Sequence, residues 1–113
     1  MPYLHIAIGK PVSRAEQDAL YARCAQLISI LPEKNEENCM VRIEQDCATY
    51  FKGAACPCAF VDLRLYTQSP EDKKRAFVAA LSGELCQRFG LSPSHIYMNL
   101  LELDHWVVGD SLK

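Results

Sequence analysis

The stretch Pro2-Tyr3-Leu4-His5-Ile6-Ala7-Ile8 decides the fold, because it predicts a strand that the rest of the chain must cover. Its even-numbered apolar residues from position 4 onward share one face, which is the pattern of a half-buried strand. Pro2 suits the first position of a strand, where its missing N–H costs little. If Met1 is removed, however, the ring nitrogen of Pro2 becomes a free secondary amine, and burial or a nearby cation favours its neutral form. The dipeptide alone favours the plain start of a strand.

The composition describes one ordinary globular domain. The chain has 113 residues, 50% of them hydrophobic and 23% charged, which predicts a single domain over 1–113. A formal net charge of −2 without a basic block argues against nucleic-acid binding. The apolar stretches are too short to span a bilayer, and no signal-peptide pattern opens the chain. We therefore expect a cytoplasmic protein with no membrane partner, or one exported without a signal peptide.

Six cysteines in a short chain raise the question of a disulfide framework or a metal site. Cys24 and Cys86 fall on the apolar stripes of predicted helices, and Cys39 falls on the apolar face of a predicted strand. The segment 56–58, Cys-Pro-Cys, does not have CxxC spacing, and no histidine lies near it in sequence. Buried free thiols are the expectation, with neither metal nor cofactor.

The remaining elements follow from periodicity and from end signals. Ser13 and Glu16 form a capping box before a helix that Pro32 ends. Ser69-Pro70 begins a second helix with proline at its first helical position, and Gly90 ends it. Further strands are predicted over 39–44, 59–66 and 96–101. The order predicts an α+β fold in which two β-α-β units form a four-stranded mixed sheet with two helices on one face.

One face of that sheet stays uncovered by the helices. It carries polar and aromatic side chains, namely Tyr3, His5, Arg42, Glu44, Asp62, Arg64, Tyr97 and Asn99. Such a face is either solvated or directed at another subunit in a symmetric oligomer, and composition leaves both open.

Several stretches together resemble one known family. They are MPYLHI at the start, Lys34 after the first helix, PCAFVDLRLY over 57–66, LSPSHIYMNLLEL over 91–103, and Val108-Gly109 near the end. The chain is similar to the tautomerase superfamily, and within it to the branch of macrophage migration inhibitory factor and D-dopachrome tautomerase. The resemblance implies two β-α-β units assembled as a homotrimer, with the sheets lining a central channel.

The resemblance also implies an activity and a site. Pro2 matches the amino-terminal proline that acts as general base in keto–enol tautomerisation of arylpyruvate-like α-keto acids. Such a reaction needs a neutral base near its working pH, and a lysine can both anchor a carboxylate and keep that base uncharged. The substrate-binding positions implied are Lys34, Tyr66, Val108 and, from a neighbouring subunit, Tyr97 and Asn99.

The chain departs from the branch at several of its positions. Cys58 stands at the first cysteine of a CxxC motif, but Val61 occupies the second position, which argues against a thiol-redox role. Asn38 replaces an aromatic residue of the pocket rim, and Tyr66 and Trp106 are bulkier than the usual residues. We expect a narrowed or reshaped pocket with its own substrate preference.

Two other functions stay open at this point. One is a cytokine-like interaction protein with vestigial tautomerase activity and, if the protein is exported, a host receptor as its partner. The other is a different proline-dependent reaction of the superfamily, dehalogenation or decarboxylation, which calls for further cations in the pocket. Arg42 and Arg64 could serve there, although Glu44 and Asp62 are the expected partners of these arginines.

Overall fold

A computed structural model describes residues 1–113 and contains a central four-stranded sheet with two α-helices. Two short two-stranded ribbons complete it. The elements are β1 (Pro2–Ile8), α1 (Arg14–Leu27), β2 (Met40–Glu44), β3 (Tyr50–Phe51), β4 (Ala54–Ala55), β5 (Ala59–Tyr66), α2 (Glu71–Phe89), β6 (Ile96–Leu103), β7 (Val107–Val108) and β8 (Ser111–Leu112). Neither α-helix combines the length and the apolar character needed to cross a membrane.

The sheet has the order β2-β1-β5-β6 and confirms the predicted mixed topology. β1 pairs in parallel with β2, and β5 pairs in parallel with β6, while the two central strands β1 and β5 run antiparallel. Each parallel pair and its crossover helix form one β-α-β unit. Because the central strands are antiparallel, the two units are related by a pseudo-twofold, and their strands begin at opposite ends of the sheet.

The start of α1 and both ends of α2 can be explained by the residues found there. At α1, the Ser13 side chain accepts a hydrogen bond from the Glu16 backbone N–H (3.1 Å), and the Glu16 carboxylate accepts one from the Ser13 N–H (2.9 Å), so the predicted capping box is confirmed. α2 differs from the prediction, since Pro70 is its N-cap rather than its first helical residue. Gly90 ends α2 in the left-handed conformation (φ 67°), which glycine adopts without a steric penalty.

The hydrophobic core lies between the helices and one face of the sheet. The even-numbered residues of β1 and the odd-numbered residues of β5 from position 61 onward alternate onto this face and are almost completely buried. α1 and α2 cover them with Leu20, Cys24, Leu27, Phe77, Leu81, Leu85 and Phe89. The predicted arrangement of both helices on one face is therefore confirmed.

The opposite face carries the polar and aromatic residues expected there. His5 Nε2 lies 2.8 Å from Glu44 Oε1, and Arg42 contacts the same carboxylate oxygen at 3.2 Å. Arg64 Nη2 pairs with Asp62 Oδ2 at 3.1 Å. These contacts confirm the expected pairing of the two arginines with neighbouring carboxylates.

Candidate active site

The amino terminus is tucked against the sheet where β1 begins. Pro2 is buried and lies opposite Leu65 of β5 in the antiparallel register. The Tyr66 backbone N–H donates a hydrogen bond to the Met1 carbonyl at 3.3 Å. Burial lowers the pKa of the Met1 amino group, the positive charge of Lys34 lowers it further, and a smaller effect of Cys39 opposes them. A terminal amine at this place is therefore biased toward its neutral, basic form.

Lys34 is buried at the same end of the sheet. It follows Pro32 in the connection between α1 and β2, only 8% of its surface is exposed, and its Nζ donates a hydrogen bond to the Tyr66 carbonyl at 2.9 Å. An ammonium group has three donors, and this bond uses one of them. The structure thus brings together three of the residues predicted from sequence, namely Pro2, Lys34 and Tyr66.

An open cavity of about 800 Å³ adjoins this end of the sheet. Its lining combines the chain start, the connection before β2 and the C-terminal ribbon: Met1, Pro2, Tyr3, Glu37, Asn38, Met40, Arg64, Leu103, Trp106, Val107, Val108, Gly109 and Lys113. Val108 therefore lines the same cavity as Pro2. Trp106, which we expected to reshape the pocket, also lines this cavity and gives it a large aromatic wall. Lys34 and Tyr66 stand beside this lining rather than in it.

Arg64, which the sequence analysis considered as a pocket cation but expected to pair with Asp62, lines the cavity and makes that ion pair as well. It faces Tyr3 across the β1–β5 pair, one position from Pro2 and Leu65, and lines the same cavity. Its Nε and Nη2 both donate to one oxygen of Asp62, so other guanidinium N–H groups stay available. Antiparallel pairing of the first and third predicted sheet strands would have revealed this position.

Tyr97 and Asn99 are not in the cavity with Pro2 of their own chain. They face Phe60 and Asp62 in the β5–β6 register, toward the other end of the sheet from Leu65. Tyr97 is 60% exposed, and its ring meets the Phe51 ring edge-to-face at a centroid distance of 4.9 Å. Within one chain these two residues are therefore separated from the candidate base.

The cysteines include one contact that the sequence did not predict. All six thiols are free, and Cys56 Sγ lies 3.5 Å from His95 Nδ1, although the two residues are 39 positions apart. No group of three or more His, Cys, Asp or Glu side chains is arranged to hold a metal ion.

Comparisons with known proteins match the fold across nearly the whole chain. The sequence matches the family model for macrophage migration inhibitory factor over residues 1–111. No curated protein matches it significantly in sequence. Among solved structures, it is similar to MIF2 of Leishmania major, with a TM-score of 0.90 and 16% identity over 100% of this chain and 97% of that one.

Two further structures extend the comparison. The macrophage migration inhibitory factor of Toxoplasma gondii has a TM-score of 0.83 and 24% identity over 98% of this chain and 99% of that one. A member of the cis-3-chloroacrylic acid dehalogenase family, N1, has a TM-score of 0.76 and 11% identity over 89% of this chain and 74% of that one. At these identities the structures establish the fold, while the family model establishes membership. The chain belongs to the macrophage migration inhibitory factor family of the tautomerase superfamily.

Proposed function

We propose that the protein is a keto–enol tautomerase of arylpyruvate-like α-keto acids, with Pro2 as general base once Met1 has been removed. The observation that carries the proposal is the buried position of Pro2 at the end of the sheet that holds Lys34; the amine of Met1, one residue earlier, already has its pKa lowered by burial and by the Lys34 charge. A proton on carbon beside a ketone is removed efficiently only by a base that is neutral near the working pH. A secondary amine is intrinsically more basic than a primary one, so the proposal requires this environment to lower the pKa of the Pro2 amine as it lowers that of the Met1 amine.

Removal of Met1 changes more than the nitrogen of Pro2. It also frees the Tyr66 backbone N–H, which now donates to the Met1 carbonyl at 3.3 Å. That N–H then adjoins the place that Met1 leaves, and the Lys34 ammonium, bonded to the carbonyl of the same Tyr66, keeps two further donors for a ligand there. Together they form a charge-assisted binding site for the carboxylate of an α-keto acid.

The reaction follows from this arrangement. Pro2 takes a proton from the carbon next to the ketone, the C–H electron pair forms the enol double bond, and the ketone oxygen becomes an enolate. A hydroxyl donor stabilises the developing negative charge. Tyr97 of a neighbouring subunit supplies it, with Asn99 beside it, and Trp106 and Val108 pack against the aryl group. Transfer of the proton from Pro2 to the enolate oxygen then gives the enol, and the same steps in reverse convert an enol to the ketone.

Tyr97 can come from another chain only in an oligomer. We take this oligomer to be the homotrimer that the similarity to the tautomerase superfamily implies. The open face of the sheet supports it. Large apolar or aromatic side chains stand exposed there, with Phe60 at 47% and Tyr97 at 60%. Asp62 Oδ1 is buried without a hydrogen-bond partner, which is costly unless another molecule provides a donor. A second subunit would satisfy both features.

The test combines intact mass with turnover of phenylpyruvate enol. We expect the mass of the chain without Met1, and a Pro2→Gly variant should lose at least about 100-fold in kcat/KM. Pro11→Gly is the matched control, because Pro11 is exposed and does not line the cavity. Retention of Met1 in active protein, or equal rates for Pro2→Gly and wild type, would exclude Pro2 as the base.

A second candidate reaction is favoured by Arg64. A further cation beside Pro2 could bind and polarise an unsaturated acid for attack by water, as hydrolytic dehalogenation requires. Halide release from a halogenated acrylate that is lost in Arg64→Met, together with no turnover of phenylpyruvate enol by wild type, would support this reaction over tautomerisation.

A further inference from the structure

The pseudo-twofold of the fold gives the sheet a second end that is equivalent to the Pro2 end. At the first end, Pro2 begins β1, and Lys34 lies in the connection that leads into β2. At the second end, the segment Cys56–Cys58 leads into β5, and His95 lies in the connection that leads into β6. Each end therefore pairs a potential base or nucleophile with a side chain that carries nitrogen. The pairs are Pro2 with Lys34 and Cys56 with His95, and the second member of each lies in the connection that precedes the next strand of the sheet.

The contact at the second end is geometrically defined. Cys56 Sγ lies 3.5 Å from His95 Nδ1 and 3.6 Å from the Pro57 carbonyl, and both side chains are partly buried. Phe51 meets the imidazole ring edge-to-face, with centroids 5.8 Å apart and an interplanar angle of 89°. In the tautomer that carries its proton on Nε2, Nδ1 can accept the proton of the thiol.

The backbone holds the Cys56 segment in place. The Cys56 N–H donates to the Thr49 carbonyl at 3.2 Å, and the Gly9 N–H donates to the Cys58 carbonyl at 2.7 Å. A Cβ on Gly9 would lie 3.2 Å from the carbonyl oxygens of both Cys56 and Cys58, so the close approach depends on glycine. The thiol is therefore positioned against His95 before any ligand arrives.

A small apolar cleft lies beside this pair. Its volume is about 190 Å³, and its walls are Ala7, Thr49, Tyr50, Phe51, Cys58, Ala59, Phe60, His95 and Tyr97. Cys56 is not one of these wall residues, but its sulfur contacts His95, which is, and Cys58 of the wall is two residues away in sequence. Cys58 is only 5% exposed and burial raises the pKa of its thiol, whereas Cys56 is partly exposed and contacts His95, so we take Cys56 as the nucleophile of the pair.

We propose that Cys56, with His95 as its base, is a covalent addition site for aryl-substituted α,β-unsaturated carbonyl compounds whose ring occupies the aromatic cleft. The Cys56 sulfur attacks the β-carbon, an S–C bond forms, and the C=C π bond breaks. His95 Nδ1 takes the thiol proton, and the α-carbon of the resulting enolate receives a proton back from the imidazolium. The thioether product contains every atom of both reactants, and no oxidant or reductant is required.

Cys56 and His95 have no part in the proposed tautomerase reaction, although Tyr97 of the cleft wall is the residue that the proposed trimer places beside Pro2 of a neighbouring subunit. Addition at Cys56 needs neither the removal of Met1 nor a free Pro2 amine, so its test stands whether or not the protein is a tautomerase. Cys47 provides an internal comparison, because it is also a partly exposed free thiol but contacts only a backbone carbonyl, at 3.9 Å.

The experiment treats the native protein with benzylideneacetone, an aryl enone, or with methyl vinyl ketone, which lacks the ring. Initial adduct rates at Cys56 and Cys47 are measured by peptide mass spectrometry. With benzylideneacetone, Cys56 should react at least about tenfold faster than Cys47. His95→Gln should reduce Cys56 to the rate of Cys47, whereas His105→Gln should not, because His105 contacts only the Lys113 carbonyl.

Two further measurements connect the rate to the cleft. Phe51→Ala should lower the preference of Cys56 for the aryl enone over methyl vinyl ketone by about fivefold. In urea, both cysteines should react alike. Equal native rates at Cys56 and Cys47, preferential adducts on Cys58, or an unchanged Cys56 rate in His95→Gln would each overturn the proposal.

Discussion

The two ends of the central sheet are topologically equivalent but chemically different. The Pro2 end opens into a cavity of about 800 Å³ that Arg64 and Lys113 line, with the buried cation Lys34 beside it. The Cys56 end has a cleft of about 190 Å³, lined mainly by aromatic and aliphatic side chains. The pseudo-twofold thus fixes where ligands can approach, while the residues in two strand connections fix the chemistry. A polar acid suits the first end and a soft apolar electrophile suits the second.

Both ends depend on the same buried strands, so a core substitution should affect them together. Leu63 is completely buried in the middle of β5, and Leu63→Ala should cost about 3 kcal/mol in the free energy of unfolding, because the cavity cannot fully collapse. Leu112→Ala is the matched control, since Leu112 is 68% exposed and should change stability by less than about 0.5 kcal/mol. Urea denaturation measures both, and similar losses would contradict the assignment of a shared core.

Gly9→Ala should mainly disturb the Cys56 end of the sheet and so distinguish it from the Pro2 end. The added Cβ meets two backbone carbonyls and the Thr49 hydroxyl oxygen, each at 3.2 Å, so the Cys56 segment must shift. We expect a loss of about 2 kcal/mol in stability, as for moderate overpacking, together with slower addition at Cys56. Tautomerase turnover per folded molecule should fall much less than the Cys56 rate, because Tyr97 is the only residue of this end that the proposed tautomerase reaction uses as a donor. Gly83→Ala is the control, because a Cβ there meets no atom within 4 Å.

Lys34→Met should have the opposite effect to Gly9→Ala, lowering tautomerase activity at the Pro2 end and leaving thiol addition at the Cys56 end unchanged. Methionine keeps an apolar stem but removes the charge, so kcat/KM for an arylpyruvate should fall about tenfold, or ~1.4 kcal/mol. The Lys34 charge lowers the pKa of the Met1 amine, and if it acts in the same way on the Pro2 amine, its loss should raise the pKa of that base. The rise of kcat/KM with pH should then move to higher pH, while Cys56 addition stays unchanged. Lys34→Arg is the control that retains a cation, and an unmoved pH profile in Lys34→Met would remove Lys34 from the site.

The sequence predicted the scaffold better than the contacts at its ends. Alternation along 2–8 and 59–66 was enough to assign the two faces of the sheet, because burial repeats every second residue. The Cys56–His95 contact joins two irregular connections 39 residues apart, and no local pattern encodes such a contact. The pseudo-twofold order of elements was the available signal, since it makes His95 the counterpart of Lys34.

The start of α2 shows how a tertiary contact overrides a local signal. Ser69-Pro70 predicted proline at the first helical position, with serine before it. The Ser69 N–H instead donates to Glu102 Oε2 at 2.7 Å, and the helix begins one residue later, with the Lys74 N–H bonded to the Pro70 carbonyl at 3.1 Å. The residue expected to cap α2 is thus held by a carboxylate on β6, 33 residues away, a contact that no local pattern encodes.

Glu102 also gives the smallest predicted effect, an acid-dependent loss of stability confined to the Pro2 end. Lys74 Nζ donates to Glu102 Oε1 at 2.7 Å, and this bond, with the Ser69 N–H and the charges of Lys74 and Lys34, lowers the pKa of the carboxyl from its ordinary value of 4.5. A lowered folded-state pKa adds stability that is complete above the unfolded pKa and is lost as the pH falls through the folded one. Glu102→Gln should therefore cost about 1 kcal/mol at pH 7 and progressively less below about pH 4.5.

Urea denaturation of Glu102→Gln and wild type across that pH range measures the difference. Glu71→Gln is the control, because its ion pair with Arg75 lies on the surface and both side chains are more than 70% exposed. Surface pairs of this kind contribute little, so Glu71→Gln should change the pH dependence much less. A difference between Glu102→Gln and wild type that stays constant with pH would mean that the Glu102 charge does not stabilise this end, and that its hydrogen-bond geometry alone does.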